Sequence, residues 1–198
     1  MKKESMFSEI QSIRLLMERS VKFLSLSGLA GILAGVYALI GAFFASKIGQ
    51  NGAGQPEAMF LLLVAVLVLI MAVGTAFLLS KRKAQTAGQQ IWNPASKALF
   101  QAMLPPLLAG GMVSLIAIWQ GYFQMIIPAL LVFYGLSLVA GGQFTFSTIK
   151  GLGWLLILTG LVALILPGHD LLFWCIGFGF FHILYGSLIF FKHERKRG

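Results

Sequence analysis

The chain has 198 residues, of which 58% are hydrophobic and 11% are charged, and its formal net charge at pH 7 is +9. So low a charged fraction excludes an ordinary soluble domain, in which about a quarter of the residues carry a charge. The single cysteine, Cys175, excludes an intramolecular disulfide and a cysteine-based metal cluster. The composition is typical of an integral membrane protein.

The first 21 residues precede the apolar part of the chain and have the pattern of an amphipathic helix. Met6, Ile10, Ile13 and Met17 recur at spacings of three and four, which places them on one face of a helix. Such a helix suits the cytoplasmic leaflet or the surface of a partner. We expect residues 1–21 to form either an anchor that leads into the membrane or a docking helix for a cytoplasmic protein.

Six apolar runs follow, each close to the roughly 20 residues that a helix needs to cross a bilayer core about 30 Å thick. Apart from Lys22 at the edge of the first run, they contain no Asp, Glu, Lys or Arg. They lack the alternation of barrel strands, so their backbone groups can be satisfied only within helices. We therefore predict an all-α polytopic membrane protein whose transmembrane domain, 22–191, has six helices: 22–46, 58–80, 98–119, 123–142, 151–167 and 171–191.

Basic residues collect at the ends of the predicted helices. They cluster within 2–22, 81–97 and 192–197, with Lys150 between the fourth and fifth helices, and all of these places fall on one side of the membrane. The positive-inside rule then puts both termini in the cytoplasm and makes 192–198 a basic cytoplasmic tail. Topology and contact with anionic lipid account for the charge, so we expect no binding of nucleic acid.

Two features mark the third predicted helix. Asn93 is placed to cap it, with Pro94 in its first turn. Pro105 and Pro106 remove two N–H donors from its interior, which predicts a kink.

The three odd-numbered helices share a hexamer, and this is the most specific pattern in the chain. It reads GVYALI at 35–40, GMVSLI at 111–116 and GLVALI at 160–165. The even-numbered helices match on Gly74, Gly135 and Gly186 in VGTAFLL, YGLSLVA and YGSLIFF. We predict three tandem helical hairpins that share one orientation and a pseudo-three-fold axis along the membrane normal. Their ranges are 22–80, 98–142 and 151–191.

Recurring glycines indicate how these hairpins assemble. Lipid offers no hydrophobic drive, so helices in a membrane associate by close backbone approach at small residues. The glycines that we predict at helix contacts are Gly28, Gly31, Gly35, Gly111, Gly135, Gly160 and Gly186.

The stretch WLLILTGLVALILPG at 154–168, followed by a glycine-rich helix that ends in YGSLIFF, resembles the repeat of the HdeD-like bacterial membrane proteins. The resemblance implies a fold of three helical pairs, a location in the bacterial inner membrane and a connection with acid resistance. It transfers no catalytic residue. The chain departs from the family in its long N-terminal segment and in Pro105–Pro106.

One ionisable side chain, His182, lies within the sixth predicted helix. The aligned repeats have Ile70 and Leu131 at this position, so shared packing does not require a histidine. A structural hydrogen bond, a solute or proton site, and a metal or haem ligand are three interpretations. The third is disfavoured because His169 and His193 lie near opposite interfaces, and we expect no cofactor or metal. The candidate intramembrane polar site comprises His182, Tyr185, Tyr134, Ser137 and Tyr37.

These features predict a non-enzymatic inner-membrane protein that acts in envelope or acid stress or in the passage of a small solute. The absence of carboxylates from the predicted spans argues against ion-coupled transport. One alternative is an interaction protein that binds a cytoplasmic partner through residues 1–21 or forms a homo-oligomer. Another is an intramembrane serine hydrolase that uses Ser137 and His182, although Leu138 breaks the Gly-x-Ser-Gly signature.

Overall fold

The computed structural model describes residues 27–48, 55–86, 88 and 90–194. Their regular structure is helical, and no strand occurs among these residues. Six helices are long and apolar enough to cross a membrane, which confirms the predicted number. The predicted amphipathic helix over 1–21 and the last four residues of the basic tail lie outside the described residues.

We number the six helices in chain order. The first five are α1 (Gly28–Ile48), α2 (Gln55–Thr86), α3 (Pro94–Trp119), α4 (Ile126–Gly141) and α5 (Ser147–Ile165), and a 3-10 turn, Phe123–Met125, precedes α4. The sixth, α6, consists of four consecutive segments: α-helical Asp170–Trp174, π-helical Cys175–Phe181, α-helical His182–Ile189 and π-helical Phe190–Glu194.

Capping explains why α3 begins at Pro94, four residues before the apolar run that predicts it. The Asn93 side chain accepts a hydrogen bond from the Ser96 backbone nitrogen at 2.9 Å, and the Ser96 hydroxyl accepts one from the Asn93 nitrogen at 2.9 Å. This reciprocal pair satisfies two N–H groups that a helix start leaves without partners. The predicted cap is confirmed, and α3 continues through Pro105 and Pro106 as one helix.

Most of the basic side chains in the described ranges lie at one end of the bundle. The Lys83 ammonium of α2 lies 5.8 Å from the centre of the Phe146 ring, in the loop between α4 and α5. We call this the basic end. It carries Lys81, Arg82, Lys83, Lys97, Lys150 and Lys192, whereas the opposite end carries Lys47.

Helices α1 and α6 pack with their backbones in contact. A β-carbon added to Gly186 would lie 2.5 Å from the Ile32 backbone nitrogen, and one added to Gly35 would lie 2.6 Å from the Gly179 carbonyl oxygen. Any side chain on these glycines would separate the helices. We call this contact the α1–α6 seam, and the glycines that α1 contributes to it are Gly28, Gly31 and Gly35.

Helices α4 and α5 pack in the same way. A β-carbon on Gly135 would lie 2.6 Å from the Gly153 carbonyl oxygen, and one on Gly160 would lie 2.9 Å from the Pro128 carbonyl oxygen. This is the α4–α5 seam. Beside it lies the largest buried cluster of the described chain, formed by residues of α4, α5 and α6 such as Leu131 and Leu156.

Among the described residues, no glycine of α2 or α3 makes such a contact between these two helices. Near the opposite end of the bundle, Leu62 of α2 packs against the cluster that Ala117 and Ile118 of α3 form with Ile126 of α4. Closer to the middle, a β-carbon on Gly74 or on Gly111 would have no atom within 4 Å. The structure therefore differs from the predicted packing at Gly111. We call the facing surfaces of α2 and α3 the open seam.

Candidate functional site

His182 is held in a cluster of three aromatic rings where α4 meets α6. It begins the helical segment that follows the π-helical Cys175–Phe181 and is 6% exposed. Its ring centre lies 5.5 Å from that of Tyr134 on α4 and 6.1 Å from that of Phe178 on α6. The Tyr134 and Phe178 ring centres are 5.5 Å apart. The imidazole is therefore packed against two aromatic side chains and buried within the protein.

Both ring nitrogens of His182 have a polar partner. Nδ1 lies 3.0 Å from the Gly177 carbonyl oxygen, and Nε2 lies 3.2 Å from the Tyr134 hydroxyl oxygen. A carbonyl can only accept, so Nδ1 carries a hydrogen and donates it to Gly177. In the neutral ring Nε2 then accepts from the Tyr134 hydroxyl. This assignment satisfies the histidine completely without a charge.

The arrangement bears on which chemistry His182 can perform. Metal ligation needs a free nitrogen lone pair, and the Nε2 lone pair faces the Tyr134 hydroxyl. In the part of the chain that the structure describes, no three His, Cys, Asp or Glu side chains are grouped so that they could hold a metal ion. His169 lies in the loop before α6. The geometry suits a structural hydrogen bond, or one that exchanges with a neutral hydrogen-bonding molecule.

Ser137 lies elsewhere on α4 with a partner of its own. It is fully buried, and its hydroxyl donates to the Met103 carbonyl of α3 at 3.0 Å. That carbonyl lies two residues before Pro105, next to the Gln101 and Ala102 carbonyls, from which the two prolines remove helical N–H donors. Ser137 therefore joins α3 to α4 beside the two prolines. Its hydroxyl bonds to Met103, and the His182 ring bonds to Gly177 and Tyr134, so the serine and the histidine do not bond to each other.

The remaining two predicted site residues are also separate from His182. The Tyr37 hydroxyl of α1 lies 3.2 Å from the Thr75 hydroxyl of α2. The Tyr185 hydroxyl of α6 lies so close to α5 that a β-carbon on Gly151 would be 2.9 Å away. Of the five predicted residues, the structure brings together His182 and Tyr134.

Sequence reasoning missed several partners of these side chains. The Trp174 indole N–H of α6 donates to the Ala38 carbonyl of α1 at 2.9 Å, which adds a polar link to the α1–α6 seam. A tryptophan inside an apolar run needs a partner for its N–H, and this signal could have found it. No comparable signal identifies Phe178 or the Gly177 carbonyl, since both depend on the rotation of α6.

The role of this site has to be inferred from its own geometry, because no family model, no curated protein and no solved structure matches the chain.

Proposed function

We propose that the six helices are three tandem copies of one hairpin, α1–α2, α3–α4 and α5–α6, arranged around a pseudo-three-fold axis along the membrane normal. The α1–α6 and α4–α5 seams support this proposal. When the hairpins are aligned on the shared hexamer and on the later glycine, the close contacts of one seam correspond to those of the other. The corresponding pairs are Gly135–Gly153 with Gly186–Gly28, and Gly160–Pro128 with Gly35–Gly179.

Burial along the shared hexamer also supports the repeat. Its fourth residue is buried in every copy, and its sixth residue is exposed in every copy. Each hairpin thus turns the same face of its first helix toward the protein. The exposed fractions are 1% for Ala38, 0% for Ser114 and 2% for Ala163, against 50% for Ile40, 48% for Ile116 and 76% for Ile165.

The location that we propose is a bacterial-type inner membrane with the basic end of the bundle in the cytoplasm. Lysine and arginine on the cytoplasmic side follow the positive-inside rule, and they would contact anionic headgroups. The resemblance to the HdeD-like proteins favours the same membrane. Fusion of a reporter that is active only in the cytoplasm tests this orientation: after Gly198 it should be active, and within the loop that contains Pro167 and Gly168 it should be inactive.

We propose a non-enzymatic protein that lets a small neutral solute pass through the membrane, in the setting of envelope or acid stress. The observation that carries this proposal is the His182–Tyr134 pair, buried within helices whose apolar spans hold no carboxylate or basic side chain. Its neutral hydrogen bond can be exchanged for one to a hydroxyl or amide. Ion-coupled transport would instead use a membrane-embedded charge.

Proteoliposomes provide the test. We expect the purified protein to raise the permeation rate of glycerol or urea above that of protein-free vesicles, measured by stopped-flow light scattering. His182→Leu introduces the residue that α4 carries at the aligned position, Leu131, so the packing is matched while the polar pair is removed. We expect this variant to change the permeation rate severalfold.

Ser114→Ala is the matched control. The Ser114 side chain is buried, like that of His182, but its hydroxyl donates to the Gly110 carbonyl within its own helix at 2.8 Å. Its removal should leave permeation unchanged. Equal rates for protein-containing and empty vesicles with both solutes would reject the proposed function, and so would an unchanged rate in His182→Leu.

A further inference from the structure

We infer that α2 acts as a gate helix, which closes on α3 along the two faces that correspond to the other two seams. The structure represents the open state. The inference rests on the proposed repeat, and it adds a lateral entrance to the proposed solute route. Closure would separate the middle of the bundle from lipid between α2 and α3, and opening would admit a molecule from the bilayer.

The first observation is that the two faces corresponding to the other seams are present but apart. Leu104 of α3 stands in place of the seam glycine Gly153, so a closed contact would be wider there. By the alignment of the hairpins, Gly74 should meet Leu104 and Leu108, as Gly135 meets Gly153 and Ile157. Gly111 should meet Leu67 and Met71, as Gly160 meets Pro128 and Val132. In the structure the four leucine and methionine side chains are exposed. The exposed fractions are 51% for Leu67, 51% for Met71, 37% for Leu104 and 60% for Leu108.

The second observation concerns the glycines themselves. Glycine inside a helix is less favourable than alanine, and it is most useful where another backbone must approach closely. Gly74 and Gly111 lie inside α2 and α3, yet a β-carbon on either would touch nothing within 4 Å. In the open state neither glycine has a role in helix packing. Closure would bring side chains of the facing helix over both glycines, so that both would lie at a helix contact, as Gly135 and Gly160 do.

The partner of each face belongs to the same chain. Leu62 of α2 packs against the cluster that Ala117 and Ile118 of α3 form with Ile126, so the two helices are already joined through this cluster near the opposite end of the bundle. Closure needs only a tilt of α2 about this contact. A second copy of the protein would have to insert a helix between two that are already joined at one end.

The contacts of α2 with α1 define the starting point of the motion, and they lie about 100° around α2 from Gly74. A β-carbon on Gly41 of α1 would lie 2.9 Å from Val68 and 3.1 Å from Val64, and the Tyr37 hydroxyl lies 3.2 Å from that of Thr75. These contacts leave the glycine face of α2 unobstructed. The tilt therefore slides α2 along α1 and leaves the α1–α6 seam in place.

A cysteine pair tests the closed state. A β-carbon on Gly153 would lie 2.8 Å from a methyl group of Val139, and the aligned residues on α3 and α2 are Leu104 and Leu78. Leu78→Cys with Leu104→Cys retains both seam glycines, and Cys175→Ser removes the native thiol. On closure the two α-carbons should come within about 7 Å, the range that a disulfide needs.

Mild oxidation in proteoliposomes, followed by counting of free thiols and gel electrophoresis, gives the readout. We expect both thiols to be lost at monomer mass, about tenfold faster than in the control. The control is Phe77→Cys with Leu104→Cys, because adjacent helical residues point about 100° apart and Phe77 is exposed like Leu78, 51% against 60%. Adding Gly74→Leu should slow the reaction to the control rate, since its side chain would block close approach.

Three outcomes would overturn the inference: no disulfide, a disulfide at dimer mass, or equal rates in the two pairs. Each variant should elute from size exclusion at the volume of the parent protein, and Gly74→Leu should do so because that site is open in this structure. The crosslink does not depend on solute flux. If the chain crosslinks but conducts no neutral solute, the result supports the gate and rejects the proposed function.

Discussion

The α1–α6 seam and the open seam contain aligned glycines, but helices pack closely at the first and not at the second. At the α1–α6 seam the backbone of Gly186 touches that of Ile32, whereas Gly74, its aligned residue on α2, faces empty space. The two glycines have similar apolar neighbours in the sequence. The difference therefore lies in the partner: α1 presents Gly28 at the close contact, whereas the aligned residue of α3 is Leu104, whose side chain keeps a facing helix farther away.

In a membrane, leaving a helix face unpacked costs little free energy. Lipid tails are as apolar as leucine, so an exposed leucine face in the bilayer carries little hydrophobic penalty, and a packed seam gains mainly van der Waals contact. No residue of the most apolar stretch of α2 is buried, whereas 39% of the corresponding stretch of α6 is buried. A helix with so few buried contacts can move at low cost.

The largest effect that we expect would break the α1–α6 seam. Gly186→Leu would force a side chain against backbone atoms of Ile32 and Gly28, 2.5 and 2.8 Å from the new β-carbon, and these atoms cannot give way. We expect loss of the folded bundle, seen as aggregation in size exclusion after detergent extraction. Gly74→Leu, the aligned change on α2, should elute like the parent protein. If both variants behave alike, the two seams do not differ as the structure describes.

A second change concerns His182, where α6 has a polar side chain and the aligned position of α4 has an apolar one. His182→Leu gives α6 the residue that α4 has at Leu131, and it removes the partners of the Tyr134 hydroxyl and the Gly177 carbonyl. We expect a loss of about 1–2 kcal/mol in the free energy of unfolding, measured by denaturation in mixed micelles.

The Tyr134 hydroxyl provides the internal control for that measurement. Adding Tyr134→Phe to His182→Leu removes a polar group that would otherwise be buried without a partner. The double variant should therefore recover part of the loss. A double variant that is less stable than His182→Leu would show that the hydrogen bond is not what the histidine contributes.

A smaller effect separates links between helices from links within one helix. Ser137→Ala deletes the hydrogen bond from α4 to the Met103 carbonyl of α3, and it should cost about 0.6 kcal/mol, which is typical of such bonds in membranes. Ser114→Ala deletes a bond to the Gly110 carbonyl in the same helix and should cost less. The same unfolding measurement compares them, and equal losses would contradict this distinction.

The smallest effect that we expect is a gain in stability instead of a loss. Gly111→Ala should leave stability unchanged or raise it by up to about 1 kcal/mol, because alanine favours helix and the site is open. Gly160→Ala, the aligned change at the α4–α5 seam, should be destabilising, since its β-carbon would lie 2.7 Å from Val132. Thermal unfolding in detergent measures both changes. A destabilised Gly111→Ala would indicate that the closed state predominates in detergent.

Hydropathy was sufficient to predict the number and approximate positions of the six helices, because each apolar run is a local property of the chain. It misplaced the start of α3 at residue 98, since the Asn93–Ser96 hydrogen bonds, not apolarity, decide where that helix begins. The π-helical stretches of α6 were beyond its reach. They depend on the register of backbone hydrogen bonds, which composition does not encode.

The polar site was predicted in part for a similar reason. A buried histidine must have a partner, and the sequence limited the side-chain candidates for His182 to a few hydroxyls on neighbouring helices. Which of them it meets depends on how α4 and α6 are rotated about their axes. The same non-local information separates Gly111 from Gly160. Their hexamers nearly coincide, and what distinguishes them is the facing helix, both its placement and its side chains.

Trp174, whose indole N–H donates to the Ala38 carbonyl, is an intrinsic fluorescent probe of the protein. Trp174 is 6% exposed, whereas the chain's other tryptophans, Trp92, Trp119 and Trp154, are 57%, 79% and 58% exposed. Brominated acyl chains quench fluorophores that they can touch, so emission that survives in brominated vesicles should come from this one indole. Its intensity then follows the contact between the first and last helices in the intact protein, with no label attached.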